Sequence, residues 1–172
     1  ARHAVMPSEP YLRSEEFLGD LHVIYDSLVQ HHGVTLTQTR LKPLIRAVEV
    51  FGFHLATTDL RQNSSIHEHL VAELMRGAKI ESGYENLEEN DKIELLLLLL
   101  NDARSLRSRH VSYSDQGVSE LSIFQVAFSV MQRLGPEAIR HVIISHTESV
   151  SDLLEVLLIQ KETGIMAGTL GD

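Results

Sequence analysis

Twice in this chain an apolar run turns polar at its end and passes at once into a helical pattern. Residues 53–60 are rich in β-branched and large apolar groups and lack a 3.6-residue period, which predicts a strand. Asp59-Leu60-Arg61-Gln62-Asn63-Ser64-Ser65 then leads into a helix. The second run, His141-Val142-Ile143-Ile144-Ser145, predicts a strand over about 141–146, closed by the polar residues up to Ser149 and followed by another helix. Strands that each feed directly into a helix imply parallel pairing with helical crossovers. A parallel sheet is buried on both faces, so other copies or other parts of a longer chain must complete a sheet of two strands.

The remaining pattern is helical. Phe17, Leu18, Leu21, Ile24, Tyr25 and Leu28 recur at three- and four-residue steps, predicting a helix over 15–31 with Ser14 as its cap and Gly33 at its end. A second helix over about 38–51 carries Pro43 near its start and stops at Gly52. Ser65-Ile66-His67-Glu68 has the form of a capping box for a helix to about Arg76. The run Leu95–Leu100 predicts a helix over about 87–102 that is buried nearly all round. Ser114 is placed to cap a long helix to Leu134, and a last helix over 150–163 meets Gly164. The sequence thus reads as a mostly helical α/β chain with roughly six helices and two parallel strands.

Composition narrows the functions. Fifteen Lys and Arg against 24 Asp and Glu leave a net charge of −9, which disfavours a nucleic-acid surface. No cysteine is present, so a disulfide framework, a thiolate metal site and a cysteine nucleophile are excluded. No apolar run approaches a membrane span, and a cytoplasmic location is the expectation. The chain opens on Ala1 and closes on Asp172 without a final element, as a piece of a longer protein would.

Among candidate sites, Arg61 has the most informative position. A guanidinium at the carboxyl end of a strand, beside a helix start, is placed to grip phosphate or carboxylate, and Asp59 orients it if both project from one side of the strand. The ten histidines show no zinc spacing, and they read as scattered core or surface residues. The loop from Arg104 to His110 reads as a solvated basic connector. Ser145, His146, Ser151 and Asp152 invite a nucleophile reading, but there is no GxSxG turn, and the last two serve more simply as helix-start residues.

The stretch Phe51-Gly52-Phe53-His54-Leu55 through Asp59-Leu60-Arg61-Gln62-Asn63-Ser64 and His67 resembles phosphoenolpyruvate carboxylase, whose sequences carry FG-x-x-L, D-[IL]-RQ-x-S and a nearby His. Val142-Ile143-Ile144-Ser145, Ser149-Val150-Ser151-Asp152-Leu153-Leu154 and Lys161-Glu162-Thr163-Gly164 are similar to a second stretch of that family. The resemblance runs from about residue 15 to 165. It implies that residues 1–172 are a single fragment of a (β/α)8 TIM-type barrel, with neighbouring barrel strands at about 53–60 and 141–146. It implies Arg61 as a ligand of the phosphate of phosphoenolpyruvate, which the full enzyme carboxylates with bicarbonate to oxaloacetate using Mg²⁺ or Mn²⁺. The family's catalytic histidine motif, its Gly-rich FHGRGG loop and its metal carboxylates fall outside these residues, so the fragment alone is expected to be inactive. The remaining parent chain and further copies in a homo-oligomer are the expected partners. The competing expectations are a helical scaffold or oligomerisation module completed by a partner chain, and another barrel enzyme acting on a phosphorylated keto acid.

Overall fold

Strand β1 (Thr58–Asn63) and strand β2 (Ile139–Ser145) lie side by side and parallel, as the two strand-to-helix junctions require. The computed structural model describes residues 9–166. In chain order the helical elements are α1 (Ser14–Gln30), the short α2 (Val34–Leu36), a π turn (Thr37–Leu41), α3 (Lys42–Phe51), α4 (Ser64–Gly77), α5 (Glu89–Leu100), α6 (Asp115–Leu134) and α7 (Ser151–Thr163). The described chain is therefore mostly helical, with six helices of ten residues or more. It divides into two compact units, residues 9–57 with 131–138, and residues 58–130 with 139–166.

In the first unit, Leu21 of α1 is buried against Ile45 and Val48 of α3, flanked by Phe17, Leu18, Tyr25 and Leu41. Ser14 is the first helical residue rather than the cap, which is Arg13. At the other end His32, at φ 65°, takes the left-handed position expected of Gly33. Gly33 is needed for another reason: a Cβ there would stand 2.9 Å from the carbonyl oxygen of Leu28. Pro43, which has no amide to give the helical ladder, is the second residue after the π turn, where the helix widens by one residue.

The largest correction concerns the first strand. Residues 53–57 are not strand; β1 begins at Thr58 and runs on to Asn63. The ring of Phe53 instead lies 6.3 Å from that of Phe17, which is 5.1 Å from Tyr11, so its apolar surface belongs to the first unit's packing. What makes the polar Thr58–Asn63 segment a strand is its partner, the apolar β2, which itself starts at Ile139 rather than 141. Pairing is irregular at the outset: Thr58 faces Ile139, yet Asp59 faces His141, and the register then continues to Asn63 opposite Ser145.

The second unit has the larger core. Leu70, Val71, Leu74 and Met75 of α4 meet Leu96, Leu99 and Leu100 of α5, Leu121 and Phe124 of α6, and Val156, Leu158 and Ile159 of α7. Leu60, Val142 and Ile144 pack on this core from one face of the sheet. The six-leucine run is not buried all round, because Leu97 and Leu98 remain exposed, the latter at 64%. Ser114 caps α6, its Oγ accepting from the Gly117 amide at 3.0 Å. The box at Ser65 does not form. Asn63 caps α4 by accepting from the Ser65 amide at 3.0 Å, while Glu68 is taken by Lys92. Gly164, at φ 87°, closes α7 in the left-handed conformation that favours glycine.

Candidate functional site at the polar end of the sheet

Side chains alternate along a strand, so β1 presents Leu60 and Gln62 to one face and Asp59 and Arg61 to the other. The carboxylate of Asp59 accepts from Arg61 Nε at 2.8 Å and from Nη2 at 2.9 Å, a two-pronged grip. These bonds hold the Asp59 carboxyl below its usual range, against the opposing pull of desolvation, and they raise Arg61. The pair is open to water, with the Arg61 side chain 72% exposed. Asp59 occupies the Nε–Nη2 edge of the guanidinium, and among the described residues nothing occupies the Nη1–Nη2 edge, which can meet the two oxygens of an anion.

Beyond Arg61 the strand end is tied down on all sides. Asn63 Nδ2 is 3.1 Å from His146 Nδ1, and Ser64 Oγ donates to the His146 carbonyl at 2.7 Å. His146 is held at φ 57°, the turn by which the chain leaves β2. On the core side, Gln62 Nε2 donates to Glu120 Oε2 at 2.9 Å, and His67 Nε2 lies 3.5 Å from Glu120 Oε1. His67 and Glu120 are both buried. Burial alone would raise the Glu120 carboxyl, but His67 and Gln62 beside it prevail and hold it below its usual range. Phe124, one turn after Glu120 on α6, meets the edge of the His67 ring at 6.1 Å.

The structure thus sorts the candidates. Arg61 and Asp59 come together. Asp152 accepts from the amides of Glu148 and Ser149, and Ser151 bonds Glu89, so these residues start α7 and make no nucleophile site with His146. In the basic connector, Arg104 is paired with Asp102, which it holds down to about 2, and the amides of Leu106 and Arg107 bond Glu162. Among the described residues no group of three or more His, Asp or Glu is arranged to hold a metal ion, and no helix is long and apolar enough to cross a membrane. His3 lies outside the described residues. Sequence reasoning missed Glu120. Its sign was a charged residue on the α6 stripe otherwise made of Gly117, Leu121, Phe124 and Ala127.

Comparison with known proteins decides the family. The phosphoenolpyruvate carboxylase family model matches residues 1–172. The chain belongs to the phosphoenolpyruvate carboxylase family. It is 53% identical over 168 residues to the phosphoenolpyruvate carboxylase of Burkholderia mallei (strain SAVP1), covering 98% of this chain and 17% of that protein. The enzyme of Burkholderia vietnamiensis is 53% identical over 162 residues, 94% of this chain and 16% of the relative. That of Paraburkholderia xenovorans is 50% identical over 169 residues, 98% of this chain and 17% of the relative. The chain therefore spans about a sixth of the length of the carboxylases it matches. The family match runs through both the Asp59–Arg61 pair and the α7 start, the two places where strands end in polar turns.

Proposed function

We propose that this chain is a segment of the catalytic domain of phosphoenolpyruvate carboxylase and that Arg61 grips the phosphate of phosphoenolpyruvate. The observation that carries this reading is the guanidinium at the polar end of β1, oriented from one edge by Asp59 and open on the other. A phosphate accepts two parallel N–H bonds from such an edge, and a pre-oriented fork loses less freedom on binding than a free side chain.

The full enzyme joins bicarbonate to phosphoenolpyruvate and yields oxaloacetate and phosphate. In that reaction Arg61 holds the phosphoryl group in place and offsets its charge. The divalent metal, Mg²⁺ or Mn²⁺, supplies electrophilic stabilisation of developing negative charge. The described residues of this chain do not offer a donor set for it.

The sheet supports a place in a larger barrel. Its core-side face carries Leu60, Val142 and Ile144 against the helices, while the opposite face carries Asp59, Arg61, His141 and the exposed Ile143. In a (β/α)8 barrel that second face is the interior, and substrate sits at the carboxyl ends of its strands. On this reading residues 1–172 form one part of the barrel domain, and the remaining parent chain supplies the neighbouring strands.

Two measurements test the proposal. In the full-length carboxylase, Arg61→Ala raises KM for phosphoenolpyruvate by about a hundredfold, the scale of a lost charge-assisted, bidentate contact; an unchanged KM refutes the role. The purified 172-residue chain forms no oxaloacetate from phosphoenolpyruvate and bicarbonate with Mg²⁺; metal-dependent turnover by this chain alone refutes the reading that the chemistry needs residues elsewhere.

A further inference from the structure

The register of β1 is not carried from its first residue. Pairing with β2 is irregular between Thr58 and Asp59, so the positions that follow must be fixed from the other end of the strand. A slip of one residue there would turn Arg61 to the core face and Gln62 outward, because side chains alternate with a period of two.

One buried group opposes that slip. Glu120, from the second turn of α6 and 58 residues away in sequence, accepts from Gln62 Nε2 at 2.9 Å. The same carboxylate faces His67 of α4 at 3.5 Å, and Gln62 Oε1 accepts from the Asn63 amide at 2.9 Å. Glu120 thus bridges the strand, through Gln62, to the helix that follows it, through His67. A carboxylate in the core, where leucine or methionine would pack at less cost, is not explained by stability, since a buried charge contributes little or negative net stability.

We infer that Glu120 is a positioning residue for the substrate arginine: by pinning Gln62 to the core face it holds Arg61 and Asp59 on the opposite face, at the height where the phosphate binds. This rests on the reading of Arg61 given above. Neither Glu120 nor Gln62 touches substrate; both act through Arg61.

The test uses the full-length carboxylase that carries these residues and measures KM for phosphoenolpyruvate, KM for bicarbonate, kcat and the thermal midpoint. Arg61→Ala serves as the reference for the underlying reading; if it leaves KM for phosphoenolpyruvate unchanged, that reading fails and the inference falls with it. With Arg61→Ala effective, Glu120→Leu is expected to raise KM for phosphoenolpyruvate by about tenfold or more, as displacement of a binding group by about an ångström does. KM for bicarbonate should stay near the parental value. Glu120→Gln, whose amide oxygen still accepts from Gln62, should restore most of the loss. Gln62→Leu, at a less buried position, should reproduce the Glu120→Leu phenotype, and it decides the matter where Glu120→Leu does not fold. A lowered thermal midpoint with parental KM for phosphoenolpyruvate in both leucine variants would overturn the inference, leaving Glu120 a purely structural residue.

Discussion

Glu155 shows how much a single buried carboxyl can govern. Tyr84 Oη donates to its Oε1 at 2.8 Å, both side chains are almost fully buried, and Oε2 has no hydrogen-bond partner. Burial pushes Glu155 up to about 8, with Glu68 and Asp152 adding to the rise and Tyr84 and Lys92 opposing it. Burial likewise raises Tyr84. The carboxyl is neutral in the fold and ionised in the unfolded chain above its ordinary pKa of about 4.3. Its contribution is therefore fully present below about pH 4.3 and declines as pH rises toward 8. Glu155→Gln should flatten this decline and raise stability at pH 8 by about 3 kcal/mol relative to the parent chain. Urea unfolding at pH 5, 6.5 and 8 measures it; an unchanged slope between pH 5 and 8 in the variant would show that the carboxyl is not held neutral.

At the scale of elements, helices were legible and the first strand was not. The periodic apolar positions of α1 and α3, the Ser114 cap and the Gly164 stop are local signals, and each appears where the pattern places it. β1 has no such signal, because Thr58-Asp59-Leu60-Arg61-Gln62-Asn63 is polar and is made a strand by β2. The end of α7 holds a device of equal non-locality. Lys161 Nζ donates to the carbonyl of Leu99 in the last turn of α5 and to that of Asp102 just past its end, where a cation complements the helix dipole. Next to it, Glu162 accepts from Ser105 Oγ at 2.6 Å and from the amides of Leu106 and Arg107. Lys161→Met should cost about 2 kcal/mol, the scale of hydrogen bonds to a charged group, read as a lower urea midpoint at unchanged slope. In Glu162→Gln, hydrogen exchange at Leu106 and Arg107 should accelerate while α4 amides keep their protection. Equal acceleration in α4 would show global rather than local loosening.

At the scale of the whole molecule, the second unit leaves several large apolar side chains open to water. Val118, Ile123 and Val126 of α6 and Ile143 of β2 are exposed, and a hollow of about 280 Å³ opens among Leu60, Ser122, Ile123, Val126, Ala127 and Ile139. Such surface drives association when nothing covers it. The 172-residue chain on its own should therefore self-associate, with a light-scattering mass that grows with concentration. Val126→Glu, at a position 62% exposed, should reduce that growth without lowering helical content. A concentration-independent monomer in the parent chain would contradict the expectation.

The sequence by itself determined the number of long helices, the parallel sense of the strands and the arginine at a polar strand end, because each is written in neighbouring residues. Tertiary structure decided where β1 begins, which residue caps α4, and which faces of the leucine-rich α5 meet water. It also decided that Glu120, far along the chain, reaches Gln62 beside Arg61. These outcomes depend on partners dozens of residues away, and no local pattern encodes the distance at which two such residues meet.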